Sequence, residues 1–163
     1  MADDIDRPEQ LDSEVPGSDD SDLNASLHVN DWFLQELIEL AEVGVELPVT
    51  LTIGGSHING RLVSGARFFE EISANMSDST AVAGLESLPA TLSKRFKSHT
   101  ERYSKLGEDR PPLGALKPNF VHLRDARWQS SDGKTFPSNG SYWRGKIAAV
   151  DGFMIGEIRV EIA

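Results

Sequence analysis

The first thirty residues cannot contribute to a core, and this constrains the rest of the chain most. They hold nine acids (Asp3, Asp4, Asp6, Glu9, Asp12, Glu14, Asp19, Asp20 and Asp22) against one base, Arg7, a net charge of −8. Apolar periodicity is nearly absent, and Pro8, Pro16 and Gly17 punctuate the run. Such a segment cannot bury enough apolar surface to offset its ordering entropy. The remaining residues hold 17 acids and 15 bases, so they carry only −2 of the total charge of −10. The sequence therefore predicts a disordered acidic tail over 1–30 and one near-neutral domain over 31–163. The tail reads either as a solubilising segment or as an interaction segment for a basic surface.

Function classes fall away quickly. With no cysteine, the chain has no disulfide framework, thiolate metal site or cysteine nucleophile. No stretch approaches the ~20 apolar residues of a membrane helix. The acidic N-terminus is unlike a secretory signal or transit peptide. His28, His57, His99 and His122 are scattered, and no zinc-protease helix motif, calcium loop or nucleophile elbow occurs. An enzyme is therefore the weaker class, no metal or cofactor site is supported, and the lack of cysteine fits a reducing cytosol.

Within the domain, residues 31–44 read as a helix capped by Asn30 or Asp31 and ended by Gly44. Leu34, Leu37, Ile38 and Ala41 form its apolar stripe, and Gln35, Glu36, Glu39 and Glu42 lie outside it. Residues 47–53 alternate as a half-buried strand, with Val49, Leu51 and Ile53 inward and Thr50 and Thr52 outward. Gly54-Gly55-Ser56 is a turn into a second strand, 57–64, where Gly60 predicts a bend or bulge. Arg67 to Ile72 opens a short helix or extends the strand, and residues 74–118 form a helical and loop insertion. Its helix, 90–106, carries Leu92, Phe96, Tyr103 and Leu106, with Lys94, Arg95, Lys97, Arg102 and Lys105 against a single acid, Glu101. Phe120 to Trp128 is a strand. Asp132-Gly133 and Pro137-Ser138-Asn139-Gly140 mark a connection to the next, Ser141 to Val150. Asp151-Gly152 predicts a two-residue hairpin into a last strand, Phe153 to Ile162, bulged near Gly156. The fold class is α+β, a small, strongly bent antiparallel barrel with an N-terminal helix and a helical insertion.

Two stretches are interaction candidates. Lys94, Arg95 and Lys97 could meet RNA or an acidic surface, the chain's own tail included. In the late strand, Tyr142, Arg144 and Lys146 are the second group, because Tyr and Arg are frequent binding hot spots. Tyr142 and Arg144 share a face while Trp143 takes the other. Trp143 therefore reads as structural. Arg144 either pairs with Asp125 or Asp151, or belongs to an exposed recognition patch with Tyr142.

The block from Phe120 to Ala126, followed by Ser141-Tyr142-Trp143-Arg144-Gly145-Lys146 and Val150-Asp151-Gly152-Phe153, resembles the C-terminal block of the gas vesicle accessory protein U family. Val49 to Gly55, Ile58 to Gly65 and the Phe68-Phe69 pair resemble its N-terminal block. The resemblance covers about residues 31–160 and leaves out the acidic tail. It implies a non-enzymatic cytoplasmic protein, at or near the vesicle surface, that assists gas vesicle assembly or controls vesicle clustering. Implied partners are the shell or other gas vesicle proteins, together with self-association. The strand pattern also resembles Sm-like and SH3-like barrels, with Gly60 in a bent second strand and Arg144-Gly145 at the Sm Arg-Gly step. An Sm-like nucleic-acid binder is thus the alternative. However, the loop after the second strand lacks the Sm RNA motif, and the net charge opposes phosphate binding.

Overall fold

The computed structural model describes residues 30–158, apart from 80–82, 109–111, 113, 131 and 133, and the backbone alone over 105–108. The acidic segment 1–29, the side chains of Lys105 and Leu106, and the part of the predicted last strand that holds Val160 and Ile162 lie outside the described residues, and the described strand ends at Ile155, short of the expected Ile162.

Helix α1 spans Trp32–Glu42. Asp31 caps it, its Oδ1 accepting from the Leu34 amide at 2.8 Å. Gly44, with φ +94°, ends it. The Gly44 amide donates to Ala41 O and the Val45 amide to Leu40 O, which satisfies the last carbonyls. The predicted stripe of Leu34, Leu37, Ile38 and Ala41 is buried in full. Glu39 departs from expectation: it is 1% exposed, and its Oε2 accepts from the Gly114 amide at 2.5 Å. The loop after the helical insertion covers what periodicity assigns to solvent.

Strands β1 (Leu47–Ile53) and β2 (Ser56–Leu62) form the expected hairpin. Gly54 and Gly55 both have positive φ, which a two-residue turn of this hand requires. Val49, Leu51, Ile58 and Leu62 point to one sheet face and are fully buried against α1, with Val121 and Leu123. Thr50, read as solvent-facing, is also fully buried. The chain beyond the last strand folds over it: Thr50 Oγ1 lies 2.9 Å from Gly156 O and 2.7 Å from Asn59 Oδ1. Asn59 Nδ2 in turn donates to Ile158 O. A buried hydroxyl with these partners costs nothing in unpaired polar atoms.

Residues 67–72, which read as the start of a short helix or as a strand extension, lie in a full helix, α2 (Gly65–Ser77), capped by Ser64. Helix α3 follows at Leu88–Glu108. The Gly65–Tyr103 and Ser73–Ser93 contacts show that the two run antiparallel. Gly65 is needed there, since a Cβ would lie 2.2 Å from the Tyr103 ring.

Strand β3 (Phe120–Gln129) pairs with β2 and carries a bulge at Asp125, which adopts φ +51°. Glycines on both neighbouring strands make room for it. A Cβ on Gly60 would meet Leu123 Cβ at 3.2 Å, and one on Gly140 would lie 2.8 Å from Asp125 Cα. Thus the irregularity expected at Gly60 is a register shift there, with the extra residue across the ladder in β3. Strand β4 (Thr135–Lys146) begins earlier than expected. Pro137 to Gly140, read as a connection, is an irregular stretch within it.

The sheet order is β4-β3-β2-β1-β5, with β5 at Gly152–Ile155. This is α+β and antiparallel, but among the described residues the expected Sm-like or SH3-like barrel is not closed: β4 and β5 are opposite edges. The Asp151-Gly152 hairpin is not formed either. Instead a 3-10 turn, Ile147–Ala149, carries the chain across to β1. The Asp151 amide donates to Thr52 O, and its Oδ2 accepts from the Gly54 amide at 2.6 Å. Asp151 therefore stabilises the β1–β2 turn and makes no turn of its own.

Candidate interaction site

Register places Tyr142, Arg144, His122 and Phe120 on the sheet face opposite α1, with Trp143 on the core side. Trp143 packs against the core. Its ring lies across Gly145, where a Cβ would come within 2.1 Å of it. Both expectations for this strand's alternation hold.

Helices α2 and α3 lay an aromatic layer over part of that outer face. His122 is 1% exposed. Its ring centroid lies 4.8 Å from Phe68 and 5.5 Å from Tyr103. Phe69 stacks between His99, at 5.1 Å, and Tyr103, at 5.7 Å. Burial, with a smaller contribution from the Arg144 charge, pushes the His122 imidazole down to about 4. It is therefore neutral near pH 7.

Arg144 pairs with neither Asp125 nor Asp151. Its Nε donates to His122 Nε2 at 3.2 Å, and its guanidinium carbon sits 3.5 Å from the centroid of the Phe120 ring. Arginine only donates. Nε2 must therefore be the acceptor, and the His122 proton is on Nδ1. A cation–π contact and one hydrogen bond thus fix an exposed guanidinium in one orientation.

Arg144 lines a groove of about 470 Å³ together with Phe69, His99, Arg102 and Tyr103. Both arginines reach it, and among the described residues no acid does. Glu39 and Glu42 line a separate cavity of about 190 Å³ beyond Tyr103. Both are engaged there, by the Gly114 and Gly65 amides.

Of the predicted residues, only Arg144 lines this groove. Tyr142 is half-buried, in edge contact with Phe68 at 6.2 Å. Burial, then Glu71, pushes its phenol above the usual range. Lys146 is exposed opposite Phe120 at the end of β4. Lys94, Arg95 and Lys97 are exposed along α3 but do not line the groove. Sequence reasoning missed His99 and Phe69. Their only signal was local: His99 and Tyr103 are one helical turn apart. Arg102 was noted as a base, but nothing in the sequence paired it with Arg144. Among the described residues, no three His, Asp or Glu side chains gather as a metal site.

Two arginines, one of them held in place, a histidine and an aromatic wall suit an anionic group. Over residues 31–158, the chain matches the gas vesicle protein GvpU-like family. It belongs to that family. The match runs from α1 to beyond β5, so the GvpU-like region holds the whole described sheet and the groove, whereas residues 1–30 precede it. No curated protein and no solved structure matches the chain. Among the described residues of this GvpU-like chain, no helix is long and apolar enough to cross a membrane.

Proposed function

We infer that the protein acts by protein–protein contact in gas vesicle assembly or clustering, in the cytoplasm or at the vesicle surface, and without catalysis. The observation that carries this reading is the groove. Arg144 is held rigidly yet exposed, beside Arg102, with no acid among the described lining residues. A cation oriented in advance loses little entropy on meeting a carboxylate partner. Tyr142 and Lys146 flank it on the same strand. Self-association has its own support. Among the described residues no strand pairs with the outer edge of β5, Met154 and Ile155 are 48% and 57% exposed, and Trp32 is 70% exposed beside Phe33, which in turn meets Phe153. An unpaired edge bordered by apolar side chains favours pairing with another chain.

Co-flotation with isolated gas vesicles tests the partner reading. The wild-type chain should float with vesicles at low salt. Arg144→Gln should weaken binding about tenfold, as expected for loss of a hot-spot arginine. Absence of flotation at every salt concentration, or undiminished flotation of Arg144→Gln, would refute it.

A further inference from the structure

We propose that the groove between α3 and β4 is a docking site for the chain's own acidic N-terminal segment, whose carboxylates engage Arg102 and Arg144. The proposal needs no vesicle and does not rest on the partner reading above.

Elsewhere on the described surface, arginines near an acid are already paired. Arg61, Arg67 and Arg124 share Glu46, the last at 2.9 Å. In contrast, no ion pair with a described residue is present at Arg102 or Arg144, and none of the groove's described lining residues is an acid. Arg144 uses only Nε internally, so its terminal nitrogens keep the fork that receives a carboxylate in two-point fashion. His99 and Tyr103 add polar hydrogens at the same place.

The chain's own path names the occupant. Asn30, the first described residue, donates from Nδ2 to Asn119 Oδ1 at 3.3 Å. Asn119 directly precedes Phe120, whose ring lies beneath the Arg144 guanidinium. The segment that precedes Asn30 therefore starts on the α1 side of the sheet, next to the residue before Phe120, within a short tether's reach of Arg144. Asp22, Asp20 and Asp19 lie eight to eleven residues before Asn30. Eight residues reach at most roughly 26–29 Å when extended. With nine acids against one base, the segment has the charge the groove lacks. A short tether also holds such a ligand at an effective concentration of about millimolar, which lets modest ion pairs form.

Since the protein has no cysteine, a single Ser18→Cys accepts one spin label in the full chain. The expected result is paramagnetic broadening of the His99, Arg102, Tyr103 and Arg144 amide signals at low salt. It should fade as the Debye length falls from about 10 Å at 0.1 M to about 3 Å at 1 M. Arg102→Gln, at an exposed helix position, should reduce the broadening without unfolding the protein, and Arg144→Gln should do so as well. Three results would each overturn the proposal. One is no broadening of these amides at low salt. Another is broadening that neither arginine substitution alters. The third is broadening only when spin-labelled protein is mixed with separately isotope-labelled copies, which would place another copy's tail in the groove.

Discussion

Acidification should destabilise the protein through His122, and the size of the effect follows from its surroundings. The imidazole is packed by Phe68 and Phe69 from α2 and Tyr103 from α3, and Arg144 from β4 faces its Nε2. A proton added at Nε2 would remove the acceptor and place two cations together. The folded-state value of about 4 lies below the ordinary 6.5, so the unfolded chain binds the proton more readily. Stability is therefore complete above pH 6.5 and is lost as the pH falls toward 4. The full span corresponds to about 3 kcal/mol, of which about 2 kcal/mol lies between pH 7 and 4.5. Urea unfolding of the wild type and His122→Phe at both pH values isolates this contribution from the other histidines. The wild type should lose about 2 kcal/mol more than the variant over that interval. Equal losses, or an NMR titration placing His122 near 6.5, would refute the reasoning.

Other substitutions test the scaffold beneath the groove. Gly140→Ala adds a Cβ 2.8 Å from Asp125 Cα at a residue with φ +72°. Left-handed strain and the clash together should cost about 2–4 kcal/mol, and a shift in urea stability under about 1 kcal/mol would contradict the bulge account. Thr50→Val removes the hydroxyl shared by Asn59 and the Gly156 carbonyl. It should cost about 1–3 kcal/mol and speed amide hydrogen exchange over 153–158, whereas unchanged exchange would show that the hydroxyl does not hold the chain end down. Asp31→Ala should cost about 1 kcal/mol by uncapping α1, measurable in the same unfolding assay.

Sequence alone was enough wherever the determinant was local. The α1 stripe, a cap at Asn30 or Asp31 and the Gly44 stop are encoded within about fifteen residues, as is the Gly54-Gly55 hairpin. Alternation along 142–144 also sorted Trp143 from Tyr142 and Arg144, because side-chain direction in a strand needs no partner to be known. Only the tertiary structure decided what depends on contacts between distant residues. Glu39 and Thr50 are buried because the 114 loop and the chain after β5 return to cover them. Asp151-Gly152 has turn chemistry, but a hairpin would require β4 and β5 to be neighbours, and β5 pairs with β1 instead. The same connection leaves the sheet open where a barrel was expected. The groove shows this most clearly. Lys94, Arg95 and Lys97 are clustered in sequence, yet the groove takes Arg102 from α3 and Arg144 from β4, 42 positions apart in the numbering. Charge clustering along a chain records composition, whereas a binding surface depends on which helix face is laid against which strand.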